Sequence, residues 1–329
     1  MTAPLISIVL STKDRCELLG AAIEALLAQE ADGLSYEVLI VDNNSSDATA
    51  SLVHGFEQRS GGIVRYVFEG REGVSCGRNA GIAASRGSIV AFTDDDVRVT
   101  PAWLSAAAGL LLANPRTQYV GGPVLPAWDV PPPAWLTCDH WSPIAAVDYG
   151  RAPFEVPADR AVCLISANLF VRRTALDRVG WFDPAFRRCQ DRDLMLRLWA
   201  AGMTGLYAPE IEATTIVPAE RLTRGYHRRW HQTHGRFVAL MPFRERRIDG
   251  GWAVEASTQG RFFLGAPLFE YRALLKHFAM WARLLAAHRM DAAFEYELRV
   301  RYSLSFILSW MRLRGRVRTA VSPRPIRMT

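Results

Sequence analysis

The sequence predicts an α/β fold in which a mostly parallel central sheet is flanked by helices and followed by a C-terminal helical extension. Short apolar runs alternate with helical segments through the first third of the chain. Continuous apolar strands separated by helices are typical of parallel strands covered on both faces. Polar residues follow each predicted strand, at the strand ends where open α/β sheets bind ligands. Basic charge also rises abruptly beyond residue 220.

The predicted elements of the first half follow one another at short intervals. Four strands are expected over residues 5–10, 36–41, 63–68 and 88–93. Helices are expected between them, from the residues after Arg15 to Gln29 and then over 47–59 and 74–84. A helix that begins near Pro101 leads to a fifth strand over 119–124. This order indicates parallel strands with helices on both faces of the sheet.

Residues 126–160 have a different composition, with seven prolines and three tryptophans. Proline fixes φ and lacks a backbone donor, so this density excludes regular structure. The tryptophans argue against disorder, and an aromatic-lined loop suits a sugar, whose C–H faces stack on indole rings. Trp128, Trp135 and Trp141 are therefore candidate acceptor-binding residues. The alternative is that they pin the loop to the protein body.

The second half of the chain is predicted to return to regular structure. A strand is expected over 162–172, and two helices over 174–180 and 191–201, the latter amphipathic. Two β-like runs near Leu206 and over 211–217 precede a basic helix over 221–241, and the chain from Arg261 is predicted to be helical. We expect one domain over 1–240, in halves 1–125 and 126–240, and a basic, amphipathic helical region over 241–329.

The charge of the chain is divided unevenly. Residues 1–220 carry 18 Lys+Arg against 26 Asp+Glu, a net charge of −8, whereas residues 221–329 carry 21 against 7, a net charge of +14. A basic region on an acidic body suggests contact with an anionic surface or with phosphate. A solvated basic helix is the alternative.

The cysteines and the hydropathy pattern bear on the compartment. The five cysteines are odd in number and lack paired spacing, which indicates free thiols in a reducing compartment. No ligand set completes Cys138 and His140 as a metal site. The N-terminus does not resemble a signal peptide, and no uncharged run reaches the ~18–20 residues of a membrane span. We expect a cytoplasmic protein, or one peripheral to the cytoplasmic membrane face.

The acidic triplet Asp94-Asp95-Asp96 directly follows the fourth predicted strand. Three neighbouring carboxylates repel one another unless a cation is present. Carboxylate oxygens suit Mg²⁺ or Mn²⁺, which bind through one or two carboxylates together with substrate phosphates. The triplet therefore predicts a metal site whose other ligand is a diphosphate. An acidic helix start or a solvated turn is the structural alternative.

Other polar residues stand at the same predicted edge of the sheet. Asp42 ends the second strand and could accept a hydrogen bond from a base or ribose, whereas Asp47 suits a helix cap. Thr12 and Arg15 follow the first strand, and Arg15 could pair with phosphate or balance Asp14. A glycine-rich helix start over 73–81 is expected to bring Arg78 close to a nucleotide.

Two aspartates begin the helix predicted over 191–201. Asp193 could be only a favourable charge in a first turn. Asp191 precedes an apolar face that would dock this helix on the sheet, so Asp191 is the candidate general base for an acceptor hydroxyl.

Together these residues resemble the family 2 inverting glycosyltransferases, which have the GT-A fold. The resemblance covers roughly residues 4–240 and lies in an ordered series of motifs. They are 6–15, 41–47, 73–81, 94–96, 168–172, 180–183 and 190–194, with Arg197 and Gly202.

The resemblance implies a nucleoside-diphosphate sugar donor, most often a UDP-sugar, bound with Mn²⁺ or Mg²⁺. It implies that the acceptor is a hydroxyl of a saccharide or of a lipid-linked molecule. Residues 1–125 are expected to bind the donor and residues 126–240 the acceptor. Asp96 matches the position that binds the metal. Asp191 matches the base that removes the acceptor proton, and this reaction inverts the configuration at C1. Gln190 is a further acceptor-binding candidate. The positions implied to hold the nucleotide sugar are Thr12, Arg15, Asp42, Asn44, Arg78, Asp94 and Asp95.

The sequence departs from the family pattern at three places. Gln190 stands where the family usually has glutamate, and Gly77 replaces a usual alanine. Residues 214–218, Thr-Thr-Ile-Val-Pro, lie where many relatives carry a histidine before Val-Pro, so the metal would rely on Asp96 and the diphosphate. His227, His231 and His234 are candidate substitutes.

Two other function classes remain open at this stage. A nucleotidyltransferase would carry a Gly-rich loop after the first strand, and residues 11–15 contain no glycine. A non-catalytic nucleotide- or carbohydrate-binding module is the other alternative. For partners we expect no nucleic acid, and an anionic membrane surface that contacts basic amphipathic helices over 269–289 and 296–314. A helical subdomain or a homodimer interface is the alternative for those helices.

Overall fold

The computed structural model describes residues 4–31, 33–156, 162–241, 245–248, 251–254 and 261–320. These residues form two compact units, which are described separately. The first unit consists of residues 1–132 and 136–219, and the second of 133–135 and 220–329. Among the described residues, no helix is long and apolar enough to cross a membrane.

An eight-stranded sheet forms the centre of the first unit, in the order β3-β2-β1-β4-β9-β6-β10-β8. Its first four strands in sequence are parallel, as predicted. They are β1 (Ile6–Thr12), β2 (Tyr36–Asp42), β3 (Val64–Phe68) and β4 (Ile89–Thr93). The remaining strands are β6 (Thr117–Gly121), β8 (Phe154–Glu155), β9 (Leu169–Arg172) and β10 (Thr204–Tyr207), of which β9 runs antiparallel to β4 and β6.

Helices cover both faces of this sheet, which is why its strands are continuously apolar. One face carries α1 (Cys16–Leu27), α2 (Thr49–Arg59) and α4 (Trp103–Ala113), and the other carries α3 (Val74–Ala84), α5 (Arg173–Val179) and α6 (Gln190–Ala200). Side chains alternate along each strand, so Ile8 and Leu10 of β1 join one core and Val9 joins the other. All three are fully buried.

The strand predicted over 119–124 is confirmed over 119–121 only, because β6 ends at Gly121 and the chain then joins a second sheet. A Cβ on Gly122 would lie 2.0 Å from the carbonyl oxygen of Ile211, so only glycine fits this crossing. The predicted strand over 162–172 is also shorter, since only Leu169–Arg172 pairs as β9. The residues before β9 form a turn at Asn168, whose side-chain amide donates to the backbone carbonyls of Pro123 and Ile211.

The second sheet has three strands in the order β5-β11-β7, where β5 is Val97–Val99, β7 is Val124–Trp128 and β11 is Ala213–Val217. The prediction that residues 126–160 lack regular structure is therefore wrong for 126–128. Pro126 is tolerated because β7 lies at the edge of its sheet. Beyond Trp128, the described regular elements of this segment are the 3₁₀ turns over Cys138–His140 and Ser142–Ile144 and the short β8. Its residues 157–160 lie outside the described residues.

The second unit is mostly helical, with α7 (Arg224–Leu240), α8 (Leu268–Ala286) and α9 (Met290–Ala320). Its core contains Ala239, Phe306, Ile307 and Trp310. A Cβ on Gly235 would lie 2.4 Å from the carbonyl oxygen of Tyr302, so the glycine allows α7 and α9 to cross closely. Helix α7 thus belongs to this unit, and the compact units divide near residue 219 rather than at the predicted boundary of 240.

The helical prediction for residues 241–329 does not hold throughout. A β-hairpin is formed by β12 (Glu245–Ile248) and β13 (Gly251–Val254), and a second short pair by β14 (Phe262–Phe263) and β15 (Ala266–Pro267). The predicted helical character holds over α8 and α9. Residues 321–329, which the prediction also included, lie outside the described residues.

Candidate active site

Three neighbouring strands place polar residues at one edge of the large sheet. In the register of β1, Thr12 pairs with Asp42 of β2, and Leu10 pairs with Thr93, the last residue of β4. The acidic triplet Asp94–Asp96 follows Thr93 without a gap. Since parallel strands end at the same edge, the residues after β1, β2 and β4 share one crevice.

Thr12 and Arg15 bind the acidic triplet directly. The hydroxyl of Thr12 donates to Asp95 Oδ2 over 2.7 Å. Arg15 donates through Nη1 to Asp95 Oδ1 over 2.5 Å and through Nη2 to Asp96 Oδ2 over 3.1 Å. The grouping of Thr12, Arg15 and the triplet is therefore confirmed, while their contact with a nucleotide stays a prediction.

Arg78 enters the site from α3, because glycines let this helix lie against β1. A Cβ at Gly77 would lie 2.0 Å from Ser11 Oγ, and one at Gly81 would lie 2.3 Å from Val9 Cγ1. The glycine found at 77 in place of alanine thus has a packing role. Because α3 lies so close to β1, the Arg78 side chain is buried, with 4% of its surface exposed.

The buried guanidinium of Arg78 lies between two carboxylates far apart in sequence. Its Nη2 donates to Asp94 Oδ1 over 2.8 Å, and its Nη1 lies 3.6 Å from Asp191 Oδ1. The centre of the guanidinium lies 5.4 Å from the ring centre of Phe182, within cation–π range. Arg78 Nε and Nη1 are buried without a hydrogen-bond acceptor among the described residues.

Asp191 lies in the first turn of α6, after a left-handed Cys189 with φ 64°. Its Oδ1 accepts hydrogen bonds from the Ser166 amide over 3.2 Å and from the Ser166 hydroxyl. All its hydrogen bonds among the described residues go to Oδ1, which leaves Oδ2 available, and its side chain is 20% exposed. Asp191 is therefore held in orientation yet accessible, as a general base requires.

Ser166 was not predicted as a site residue. It is buried and lies in the turn before β9, where the backbone N–H of Asn168 donates to the carbonyl of Ile165. Nothing in its local sequence distinguishes it from an ordinary loop serine, since its partner lies 25 residues later. Tyr66 was missed for a similar reason, and its hydroxyl donates to Asp42 Oδ2 over 2.8 Å.

Asp193 has a packing role rather than a position in the crevice. Arg197 donates through Nε to Asp193 Oδ2 over 3.0 Å and through Nη1 to the carbonyls of Val179 and Gly180. Both charged side chains are buried. This pair fixes α6 against the end of α5, which supports the reading of Asp193 as a structural charge.

Asp42 and Asn44 lie at the end of β2. Asp42 is 2% exposed and also accepts from the Ser45 amide over 2.8 Å. Asn44 is exposed and left-handed, with φ 64°, in the turn that follows. The structure thus brings Asp42 to the edge shared with Thr12, and the contact of either residue with a nucleotide stays a prediction.

The acidic triplet is short of compensating positive charge. Burial raises the pKa of Asp94, against the lowering effect of Arg78. Burial likewise raises the pKa of Asp95 to about 6, although Arg15 acts in the opposite direction. Two arginines therefore do not fully offset the desolvation of these carboxylates, and an added cation would stabilise their ionised forms.

We expect Asp95 to make the stability of the protein depend on pH. An unfolded aspartate has a pKa of ~3.9, so the folded state binds this proton more tightly. The resulting stabilisation is present at acidic pH and is lost as the pH rises through about 6. From pH 5 to pH 8 the free energy of unfolding should fall by about 1 kcal/mol more in the wild type than in Asp95→Asn. Urea unfolding at both pH values measures this, and parallel pH profiles would contradict it.

The donor set at this edge fits a hard divalent cation that also binds a diphosphate. The described residues contain no group of three His, Cys, Asp or Glu placed to hold an ion by themselves. Mg²⁺ and Mn²⁺ suit carboxylate oxygens, and Mg²⁺ is usually held by one or two of them with substrate phosphates and water. Asp96, 8% exposed at the side chain, is the carboxylate predicted for this role.

The segment that lacks the family's histidine runs beside the triplet. In β11, Thr215 pairs with Val97, and the Ile216 amide donates to the carbonyl of Asp96 over 2.8 Å. The hydroxyl oxygen of Thr215 is buried without a hydrogen-bond partner in the described part of the chain. The candidate substitutes His227, His231 and His234 all lie on α7 of the second unit.

The acceptor-binding candidates are distributed over both units. Trp128 is the last residue of β7 and Trp141 separates the two 3₁₀ turns, both in the first unit. Trp135 belongs to the second unit, where its ring contacts His227 and Phe294 at centroid distances of 4.9 and 5.0 Å. Gln190 precedes Asp191, and its Oε1 is buried without a partner among the described residues. Acceptor binding by these four residues stays a prediction.

Comparison with known proteins finds glycosyltransferases among the relatives of this chain. The chain is 28% identical over 181 residues to the glycosyltransferase AglE of Haloferax volcanii, covering 55% of this chain and 57% of AglE. It is 27% identical over 212 residues to the succinoglycan biosynthesis protein ExoM of Rhizobium meliloti, covering 61% of this chain and 65% of ExoM. The chain thus spans less than two thirds of these relatives' lengths.

Solved structures share the fold at low sequence identity. The mannosyltransferase PcManGT of Pyrobaculum calidifontis, in complex with GDP-Man and Mn²⁺, matches with a TM-score of 0.56 and 18% identity over 94% of this chain and 88% of that one. Residues 1–349 of S. aureus TarS, in complex with UDP, match with a TM-score of 0.54 and 15% identity, over 97% and 93% of the two chains. The fold is therefore GT-A, as the resemblance implied.

The family model described as "Glycosyl transferase family 2" matches residues 7–180, more than half of the chain. The matched range includes residues 7–12 of β1, the acidic triplet and Arg78. The chain therefore belongs to glycosyl transferase family 2.

Proposed function

We propose that this protein transfers a sugar from a nucleoside-diphosphate sugar to an acceptor hydroxyl, with inversion at the anomeric carbon. The observation that carries the proposal is the position of Arg78, between Asp94 at the nucleotide end and Asp191 at the chemical end. The two buried nitrogens of Arg78 that lack acceptors suit an anionic ligand in this crevice.

Asp191 would perform the proton transfer. As the acceptor oxygen attacks C1 of the donor sugar, its proton passes to Asp191 Oδ2, and the bond from C1 to the diphosphate oxygen breaks. Ser166 holds Oδ1 through two hydrogen bonds, so the free oxygen keeps a fixed direction. A base and a leaving group on opposite faces of the sugar give the inverted product.

The nucleotide end would be formed by the strand edge. Arg15 and Arg78 supply positive charge close to the triplet, and Asp96 would hold Mn²⁺ or Mg²⁺ together with the diphosphate. The bound cation would neutralise the charge that develops on the departing diphosphate. Asp42 and Asn44 would contact the base or ribose, and Thr12 would hold Asp95 in place.

A UDP-sugar is the donor that we propose, and a saccharide or lipid-linked molecule the acceptor. TarS is solved with UDP. A Campylobacter jejuni relative, 30% identical over 117 residues, is named a β-1,3-glucosyltransferase acting on an undecaprenol-linked glycan. PcManGT binds GDP-Man, so the base has to be tested directly.

Removal of the Ser166 hydroxyl should weaken catalysis more than donor binding. In Ser166→Ala the hydrogen bond from the backbone amide of residue 166 to Asp191 remains, and the hydrogen bond from the hydroxyl is lost. The base therefore loses one of its two restraints. We expect kcat to fall about tenfold with the KM for the donor unchanged. Steady-state kinetics check this, and Ser166→Thr, which keeps a hydroxyl, should recover part of the loss. A change confined to the donor KM would contradict the positioning role.

A thermal-shift screen tests the proposed donor class without knowledge of the acceptor. The protein is heated with UDP, GDP, CDP, ADP or dTDP, each with and without Mn²⁺. A ligand at a hundredfold excess over its Kd stabilises the folded state by about 2.7 kcal/mol. We expect UDP with Mn²⁺ to give the largest shift and UDP alone a smaller one. No shift with any nucleoside diphosphate would contradict the proposal.

A further inference from the structure

Helix α8 is packed into the second unit by one face only. Tyr271 and Leu274 on that face contact the core of the unit. Along the border of that face Leu275, Phe278 and Leu285 are 69%, 53% and 36% exposed. These residues are three, seven and ten positions apart, so they form one apolar strip along the helix. This strip is hereafter the α8 strip.

A basic row runs beside the α8 strip. Arg272, Lys276 and Arg283 are all exposed. Their four- and seven-residue spacing places them in one row, next to Leu275 and on the side of the helix that faces away from the packed face. The only acidic residue of α8 is Glu270, which is buried. The exposed face of α8 is therefore apolar and positively charged, with no acidic side chain.

Helix α9 adds exposed apolar residues of the same kind. Leu304, Leu308 and Met311 are 45%, 53% and 40% exposed and recur at four- and three-residue intervals. The hydroxyl of Tyr271, in the first turn of α8, lies 3.8 Å from the sulfur of Met311. This contact places the end of the α9 row beside the start of α8.

We propose that the α8 strip docks this protein on a membrane surface that carries anionic lipid headgroups. Apolar side chains can insert at the boundary of headgroups and acyl chains, while arginine and lysine contact lipid phosphates. A second copy of this chain fits the face less well, because it would bring a second basic row against the first. No described helix could span the bilayer, so the protein would lie on its surface.

Docking on a membrane would also determine which acceptors the protein can reach. A protein held on such a surface would reach acceptors that are anchored in the bilayer. This consequence rests on the proposed function, whereas the membrane contact does not depend on catalysis. The two can therefore fail separately.

Vesicle flotation of the full-length protein tests the contact. Vesicles of phosphatidylcholine alone are compared with vesicles containing about one third phosphatidylglycerol. We expect binding to the anionic vesicles to be at least about tenfold stronger, and to weaken with added salt. Absence of binding to anionic vesicles would overturn the proposal, whatever the thermal-shift screen shows for nucleotides.

Substitutions at exposed positions locate the contact. The double variant Leu275→Ser/Phe278→Ser should lose vesicle binding at least about tenfold. The matched control is Phe68→Ser/Leu112→Ser, at positions 58% and 55% exposed in the first unit, which should bind as wild type. Circular dichroism melts verify folding of both variants. The proposal is wrong if the α8 variant binds normally, or if it instead dissociates a dimer in sedimentation while the wild type ignores vesicles.

Discussion

Asp191→Asn should reduce sugar transfer by about 10²–10⁴-fold, the usual contribution of a general base. Asparagine keeps the shape of the side chain and an oxygen that accepts the Ser166 hydrogen bonds, but it cannot take a proton from the acceptor. The fold and the nucleotide end should therefore persist. Turnover is measured as release of nucleoside diphosphate, and donor binding by the thermal shift with UDP and Mn²⁺, which should match the wild type.

Asp177→Asn is the matched control for this change. Asp177 lies on α5 with its side chain 51% exposed and pairs with Arg173 at the surface, so its substitution should leave turnover unchanged. Turnover of Asp191→Asn at the wild-type rate would contradict the assignment of the base. Normal nucleotide binding with no transfer by the wild type to any acceptor would favour a non-catalytic binding module.

Arg78→Met should cost both stability and activity. It would leave Asp94 and Asp191 without the guanidinium that now lies between them. Breaking a buried ion pair by removing one partner costs about 3–5 kcal/mol, and loss of one donor to a developing charge costs about 10²–10³-fold in rate. Urea unfolding and steady-state kinetics measure the two effects.

Arg78→Lys separates charge from geometry. A single ammonium group keeps the positive charge but cannot place separate nitrogens toward Asp94 and Asp191. We expect it to recover most of the unfolding free energy and little of the activity. The control is Arg65→Lys, since Arg65 pairs over 2.5 Å with Glu37, near the opposite end of β2 from Asp42. If Arg78→Lys restores full turnover, a bridge between the two carboxylates is not needed.

The half of the fold that local patterns control could be predicted from sequence. The predicted strand over 36–41 differs from β2 by one residue, because a strand buried on both faces must be continuously apolar. The edge that carries Thr12, Asp42 and the triplet followed from the same pattern. Parallel strands bring their carboxyl ends together whatever the details of packing.

The features that were missed depend on contacts between distant segments. Directly after β6, Gly122 is approached by the backbone of Ile211, about ninety residues later. The bond from Ser166 to Asp191 and the approach of Arg78 to Asp191 join segments with no shared local signal. An amphipathic helix predicts that one face is buried but not against which partner, so the place of α7 in the second compact unit could not be predicted.

The most direct test of the central claim is a crystal structure with UDP and Mn²⁺, in which anomalous scattering locates the metal. The claim is that the acidic triplet and Asp191 are two ends of one site, joined by Arg78. It predicts one manganese peak at coordinating distance from Asp96, with the diphosphate on the side of Arg78 and the uracil near Asp42. Manganese bound elsewhere, or UDP bound away from the ends of β1, β2 and β4, would contradict it.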